Sequence, residues 1–186
     1  MYPYFRMIKL LAIARKRPKM EIMDKSVLKL RVWPGDIDIF KELNNGRHLT
    51  MMDFGRFEIA ARNGLLSLAK KKGWGFAVAG ASIRYRHRLH LFDKFELHTK
   101  LAGFDKRWFY FHQEIIRKGK IHSSALVRTV VTSKTGIVNI NDVIKEMGLD
   151  IDIQPLPDWV KAWSDAEEMR PWDNPGKQER KSAKPK

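Results

Sequence analysis

The chain has 186 residues, 44% of them hydrophobic, and a formal net charge of +15. This length is enough for one domain with a surplus at the ends, and no apolar run approaches the roughly 18 residues that a membrane-spanning helix requires. The absence of cysteine excludes disulfides and thiolate metal sites, and the excess of Lys and Arg predicts attraction to polyanions such as nucleic acid, anionic lipid or a phosphorylated cofactor.

Residues 1–25 form a basic and apolar N-terminal extension. Residues 2–20 are compatible with a helix, although apolar side chains such as Phe5 and Ile8 are interspersed with Arg6 and Lys9 rather than confined to one face. Two interpretations have equal weight: an interfacial membrane anchor, and a helix packed on the domain or on a dimer partner. An organelle transit peptide ranks third.

The next two elements are a strand and a long helix. Residues 26–33 predict a strand, because Leu28, Leu30 and Val32 lie on one side of it and more polar residues on the other. Residues 50–72 predict one long helix that is apolar around most of its circumference, which is typical of a buried helix. Three lysines followed by Gly73 indicate its C-terminus.

After Gly75 the pattern changes to strands. Four of them are predicted, at residues 76–87, 95–104, 107–117 and 121–133, and Lys118-Gly119 is a hairpin signal between the last two. A short piece, 137–140, precedes a small helix capped by Asn141 or Asp142 and ending at Met147. This order predicts an α+β fold in which an antiparallel sheet wraps around one long buried helix.

The domain is therefore expected to span residues 26–148. Residues 149–175 are predicted to be a C-terminal extension docked on it, with a short helix at 158–169, because this region contains three tryptophans. The remaining basic tail, residues 176–186, is expected to be disordered.

The segment between the first strand and the long helix carries most of the chemical information. Asp36 and Asp38 lie in a turn that begins with Pro34 and Gly35, and Asn44-Asn45 follow just before the helix. A helix N-terminus offers unpaired backbone N–H groups and a positive dipole. A carboxylate beside such donors is what polarising and cleaving an acyl carbonyl requires.

This segment resembles the motif of hotdog-fold acyl-CoA thioesterases of the 4-hydroxybenzoyl-CoA thioesterase type, Asp-x-Asp-x-x-Gly-His-x-Asn-Asn-x-x-Tyr. Both Asp and both Asn are kept, at Asp36, Asp38, Asn44 and Asn45. The resemblance covers about residues 26–140, and the run Leu-Asn-Asn-Gly-Arg is most similar to the branch of thioesterase superfamily member 6.

Three positions depart from the family motif. Lys41 replaces Gly, Glu42 replaces His and His48 replaces Tyr. Either Glu42 or His48 takes over the role of the family residue that it replaces, or these residues mark a site that has lost its activity.

The resemblance implies a hotdog fold and a hydrolase of lipid metabolism that cleaves acyl-CoA to free acid and CoA. Asp38 falls on the family's catalytic carboxylate, acting either as the nucleophile or as the base that activates water. The competing interpretation is that Asp36 and Asp38 only cap a turn. Asn44 and Asn45 either orient Asp38 or cap the helix, and Asp53 with Arg56 is expected to form an i,i+3 ion pair.

Arg84, Arg86 and Arg88 form a basic strand end that could bind the phosphates of coenzyme A; a solvated sheet edge is the alternative. Coenzyme A enters only as part of the substrate, and no other cofactor is expected. The six histidines show no spacing of paired helical metal ligands, so no metal is expected. Aromatic residues such as Phe76 and Phe109 either line an acyl tunnel or pack in the core.

The resemblance also implies a homodimer or larger homo-oligomer with the site at the subunit interface. We expect a cytoplasmic protein, with peripheral contact with an anionic membrane through the N-terminus as a further expectation. The alternative function is an inactive acyl- or CoA-binding, membrane-associated module of the same fold. Nucleic-acid binding ranks last, because only the charge and the aromatic run 108–111 favour it.

Overall fold

The computed structural model describes residues 2–171. The tail expected to be disordered, residues 176–186, lies outside the described residues. The chain divides into two compact units, one ending at Leu156 and one beginning at Pro157. The elements in chain order are α1 (Tyr4–Ala14), β1 (Ser26–Arg31), α2 (Asn45–Arg62), α3 (Leu65–Lys72), β2 (Gly75–Tyr85), β3 (Lys94–Phe104), β4 (Phe109–Arg117), β5 (Lys120–Ser133), β6 (Gly136–Ile137), α4 (Ile140–Glu146) and α5 (Asp158–Met169).

The strands form one antiparallel sheet in the order β1-β3-β4-β5-β2, with β6 added to β5. Leu28 of β1 pairs with Leu97 of β3, which pairs with Ile115 of β4. These three side chains lie on one face of the sheet and pack in the main core with Met51 and Phe54 of α2. The sheet therefore wraps around α2, and the predicted hotdog fold is confirmed.

The prediction of one continuous helix over residues 50–72 is wrong. The helix begins earlier, at Asn45, and is interrupted at Asn63 and Gly64. Gly64 has φ +87°, a left-handed conformation that glycine adopts readily, and the Asn63 side chain accepts a hydrogen bond from the N–H of Leu65. The interruption lets α3 run in its own direction and end at Gly73, as the lysine run predicted.

The region after β5 also differs from its prediction. Asn139, rather than Asn141 or Asp142, caps α4, because its side chain accepts the N–H of Asn141 from 2.9 Å. The short strand is limited to Gly136–Ile137. The predicted helix at 158–169 forms as α5 in the second unit; its docking on the domain stays a prediction.

The N-terminal extension contains a helix packed on the domain. α1 contacts α2 and buries Met7 and Ala14. Beyond its end, Arg17 reaches Glu58 of α2, whose buried carboxylate also accepts hydrogen bonds from Arg62 and Ser26. Of the interpretations of this segment, the structure supports packing on the domain. Among residues 2–171, no helix has the length and hydropathy to span a membrane.

Candidate active site

The loop between β1 and α2 is tied down by backbone hydrogen bonds. The N–H of Asn44 donates to the C=O of Asp36 at 3.0 Å, and the N–H of Asp38 donates to the C=O of Glu42 at 2.9 Å. Leu43 donates to the C=O of Leu89 at 2.7 Å, which attaches the loop to the segment after β2. Asp36 and Asp38 are thus held beside the start of α2.

Asp36 has a structural role. It is buried, its Oδ2 lies 2.6 Å from Nη1 of Arg6, and the same oxygen accepts the N–H of Trp33 at 2.9 Å. These contacts close the turn and attach α1 to it. For this first Asp, the interpretation as a turn cap is confirmed.

Asp38 is placed differently. It is half-buried, and its Oδ1 accepts the N–H of Phe40 at 2.8 Å, with the N–H of Glu42 at 3.5 Å. No donor within residues 2–171 contacts its Oδ2. One carboxylate oxygen is therefore held in place by the backbone, and the other remains available to a substrate or water.

Asn44 caps the start of α2, which was one of the two roles predicted for Asn44 and Asn45. Its Oδ1 accepts the N–H of Gly46 at 2.9 Å, and its C=O accepts the N–H groups of Arg47 at 2.8 Å and His48 at 3.3 Å. In the described part of the chain, these bonds leave the N–H of Asn45 as the donor of this turn without an acceptor. The Asn45 side chain is exposed, and a catalytic role for either Asn stays a prediction.

His48 lies beneath the first turn of α2 and contacts the sheet. Its Nδ1 is 2.9 Å from Oγ of Ser123, and its ring meets that of Tyr85 edge-on at 5.0 Å. Burial, and then the nearby His122, lower the pKa of His48 to about 4, so the imidazole is neutral at pH 7. The Tyr85 hydroxyl donates to the C=O of Asn45 at 3.0 Å and so supports the same turn.

Sequence reasoning identified neither Ser123 nor Tyr85. Alternation along β2 places Tyr85 on the same face as Ile83, toward α2, and this was the only available signal for it. Alternation along β5 likewise places Ser123 on the face of Ala125 and Val127, but it does not indicate which residue of α2 Ser123 contacts.

A cavity of about 160 Å³ lies between the loop, the start of α2 and the end of β2. Arg86 and Arg88 line it together with Glu42, and Nε of Arg88 is 2.9 Å from Oε2 of Glu42. Arg84 is not among the lining residues. It pairs with Ser124, and its side chain points to the sheet face opposite that of Tyr85.

A second cavity, of about 220 Å³, lies further along α2. Phe57, Phe76 and Phe109 line it, so two of the aromatic residues considered for an acyl tunnel border a cavity. The expected ion pair between Asp53 and Arg56 is confirmed and borders the same space. Within residues 2–171, no group of three His, Asp or Glu is arranged to hold a metal ion.

Comparison with known proteins agrees with this architecture. Residues 32–164 match the family described as the thioesterase-like superfamily. The chain is 30% identical over 154 residues to protein THEM6 of Drosophila melanogaster, a match covering 81% of this chain and 78% of the fly protein. A match to THEM6 of Xenopus laevis is 38% identical over 85 residues, covering 46% of this chain and 41% of the frog protein.

Two solved structures share the fold. The probable thioesterase YbaW from Escherichia coli aligns with a TM-score of 0.60 at 18% identity, over 65% of this chain and 95% of that one. A 1,4-dihydroxy-2-naphthoyl-CoA thioesterase from Synechocystis, Slr0204, aligns with a TM-score of 0.58 at 14% identity, over 71% and 100%. At such identities the likeness establishes the fold and not the substrate.

Proposed function

The chain belongs to the thioesterase-like superfamily, and on that premise we propose that it hydrolyses acyl-CoA thioesters to a free acid and CoA, with Asp38 as the reactive carboxylate. The observation that carries this proposal is the arrangement of the Asp38 carboxylate, with Oδ1 held by the N–H of Phe40 and Oδ2 available. The carboxylate lies in a loop that is tied to the start of α2.

Two routes use this geometry. As a nucleophile, Oδ2 attacks the thioester carbonyl, CoA leaves as the thiolate, and water then hydrolyses the resulting mixed anhydride. As a general base, the carboxylate takes a proton from a water molecule that attacks the same carbonyl, and the tetrahedral intermediate expels the thiolate. In both routes the N–H of Asn45 and the positive end of α2 would stabilise the oxyanion.

Binding of the coenzyme A phosphates is assigned to the basic end of β2. Arg86 and Arg88 support this role best, since both line the cavity beside His48 and Asn45. Arg84, from the opposite face, would contribute through the field of its charge or through a subunit interface. No further cofactor enters the reaction.

We also propose a homodimer with the site at its interface. β2 is an edge strand that pairs only with β5 among the described strands, and Phe76, Val78 and Tyr85 of this strand are exposed. A long unpaired edge with apolar side chains is a typical site for pairing with a second chain. Such pairing would cover β2 beside the candidate site. Contact of the N-terminus with an anionic membrane remains a proposal supported by Phe5 and Ile8, which are exposed on α1.

A second candidate function is an inactive acyl- or CoA-binding module. The environments of Glu42 and His48 favour it, since these two residues stand where the family motif has His and Tyr. Glu42 is paired with Arg88, and His48 is buried against Ser123 with its imidazole neutral. The carboxylate of Glu42 therefore has a cation beside it, and the low pKa makes the imidazole of His48 a weak base, so the proposed activity rests on Asp38.

Thiol release from short, long and aromatic acyl-CoAs would test the proposal, comparing wild type with Asp38→Asn and with Asp142→Asn, an exposed carboxylate in α4. The protein contributes no thiol of its own. Turnover lost in Asp38→Asn but kept in Asp142→Asn would support the thioesterase. Wild type that binds CoA without turnover would support the binding module, and full turnover in Asp38→Asn would exclude Asp38.

A further inference from the structure

Two neighbouring β-turns present apolar side chains beside the candidate site. In the Asp38 turn, residues 38–41, the N–H of Lys41 donates to the C=O of Asp38 at 3.0 Å. In the His90 turn, residues 90–93, the N–H of Asp93 donates to the C=O of His90 at 3.0 Å. The central residues are Ile39-Phe40 in the first turn and Leu91-Phe92 in the second.

These central residues are exposed although they are apolar. Ile39 is 89% exposed and Phe40 74%, and in the other turn Leu91 is 37% exposed and Phe92 52%. Turn centres are normally occupied by Gly, Pro, Asn, Asp or Ser. Phe92 in addition has φ +64°, a left-handed conformation that is unfavourable for an aromatic residue. The two turns therefore expose four large apolar side chains to water, and the stability of the turns gives no reason for apolar residues at these positions.

The two turns form one surface. Glu42, directly after the first turn, forms a β-bridge with His90, the first residue of the second. The His90 turn is also attached to the end of the first strand, because the N–H of Phe92 donates to the C=O of Val32 at 2.9 Å. The Phe92 ring meets that of Trp33, which is itself 46% exposed, at 6.0 Å. Together the two turns and Trp33 make the apolar tip of the domain.

The charge around this apolar tip is positive. Lys41 and Lys94 are exposed next to the two turns, and the guanidinium of Arg31 lies 5.7 Å from the centre of the Trp33 ring. Three nearby carboxylates are engaged with cations: Asp36 with Arg6, Glu42 with Arg88 and Asp93 with Arg117. Asp38, which is held by backbone N–H groups, is the carboxylate of the tip that has no cation partner among the described residues. Exposed aromatic and aliphatic residues within a ring of basic charge are typical of surfaces that insert into an anionic lipid interface.

We propose that the apolar tip binds the surface of an anionic lipid bilayer, with Ile39, Phe40, Leu91, Phe92 and Trp33 entering the headgroup region. A second copy of the chain fits this surface less well, because two tips with the same basic surroundings would repel each other at contact distance. The apolar side chains of the tip are not those of the β2 edge, where pairing with a second copy is proposed; Asp38, at the start of the first turn, lies between the two surfaces.

Bilayer binding would change how the substrate reaches Asp38, an inference that rests on the proposed function. Asp38 is the first residue of the Asp38 turn, so its carboxylate would lie at the lipid interface. A long-chain acyl-CoA, whose acyl chain partitions into membranes, would then reach the site along the bilayer rather than from bulk water. Hydrolysis of long-chain substrates, but not of short-chain ones, should rise when anionic vesicles are added.

The binding itself is tested by co-sedimentation of the full chain with phosphatidylcholine vesicles containing about one third phosphatidylserine. The variants Ile39→Ser/Phe40→Ser and Leu91→Ser/Phe92→Ser should each weaken binding by about tenfold or more, because each removes two insertable apolar side chains. Ile137→Ser, an exposed residue on the last strand, is the matched control and should bind as wild type does. Lys41→Glu should weaken binding more at low salt than at high salt.

Phe5→Ser/Ile8→Ser on α1 separates this surface from contact through the N-terminus. Binding lost in this variant and kept in both turn variants would overturn the proposal in favour of the N-terminus. Wild type that fails to bind anionic vesicles would overturn it as well, as would turn variants that dissociate the oligomer without changing vesicle binding. Asp38→Asn removes a negative charge from the tip and should bind anionic vesicles at least as well as wild type, so loss of activity and loss of membrane binding are distinguishable.

Discussion

Arg6 donates a hydrogen bond to the buried carboxylate of Asp36, with 2.6 Å between Nη1 and Oδ2. The same guanidinium donates to the C=O of Arg31 at 3.1 Å. One residue of α1 therefore fixes both the end of β1 and the turn that precedes Asp38. The two carboxylates of the motif consequently differ: Asp36 shapes the loop, and Asp38, two residues later, remains available for chemistry.

Replacing Asp36 by Ala should lower the free energy of unfolding by about 3 kcal/mol, because it removes a buried ion pair and the acceptor of the Trp33 N–H. Urea unfolding measures this loss. Asp38→Asn should unfold close to the wild-type midpoint, since its contacts are local. In an Arg6→Ala background the effect of Asp36→Ala should shrink. An equal effect in both backgrounds would mean that the pair contributes no coupling.

The stability of the domain should fall at mildly acidic pH because of His48. Its folded pKa of about 4 lies below the ordinary 6.5, so between these values the unfolded chain binds a proton that the folded chain does not. The free energy of unfolding is then undiminished above pH 6.5 and decreases as pH falls toward 4, by up to about 3 kcal/mol from this residue.

Comparing unfolding from pH 7 to pH 4 in wild type and His48→Gln isolates this effect. Burial also lowers the pKa values of His112 and His122, and both act in the same direction, so the variant should retain part of the decline. A decline as steep as in wild type would show that His48 does not carry it.

At Gly55, α2 lies tightly against the sheet. A Cβ at this position would overlap Oγ1 of Thr99, which also accepts a hydrogen bond from Gln113 at 2.9 Å. Gly55→Ala should therefore destabilise the domain by about 3 kcal/mol in thermal or urea unfolding. Gly35→Ala is the control, because nothing lies within 4 Å of its added Cβ. Equal stability of the two variants would contradict this close packing.

The three arginines at the end of β2 should differ in their effect on coenzyme A affinity. Arg86→Ala and Arg88→Ala should weaken binding of free CoA in calorimetry, and the loss should diminish at high salt. Arg84→Ala should have a smaller effect, since this residue lies on the other face of the sheet. The reverse order would place the CoA phosphates on that opposite face.

Much of the fold could be predicted from the sequence because the strands have strong local patterns. Alternation in residues 95–104 and the Lys118-Gly119 hairpin both correspond to observed elements. The interruption at Asn63-Gly64 was missed because the apolar pattern continues across it. An Asn-Gly pair within such a pattern was the available signal.

Only those features of the site that depend on residues close together in the sequence could be predicted. The cap at Asn44 could be inferred from its position just before a helix. The contact between His48 and Ser123 joins residues 75 positions apart, and no pattern in either segment indicates it. The adjacency of the two apolar turns could not be predicted for a similar reason, because it depends on the bridge between Glu42 and His90.

The strand order has a consequence for how the protein is made. β1 is synthesised before the other described strands, yet its only partner among them is β3, and β2 likewise pairs only with β5. The hairpins β3–β4 and β4–β5 can therefore close before either edge strand is in place. Until β3 has been synthesised, α1, β1 and α2 have no sheet on which to bury their apolar faces. The nascent segment that contains them should therefore bind chaperones until then, and it should become resistant to proteolysis only after β3 emerges.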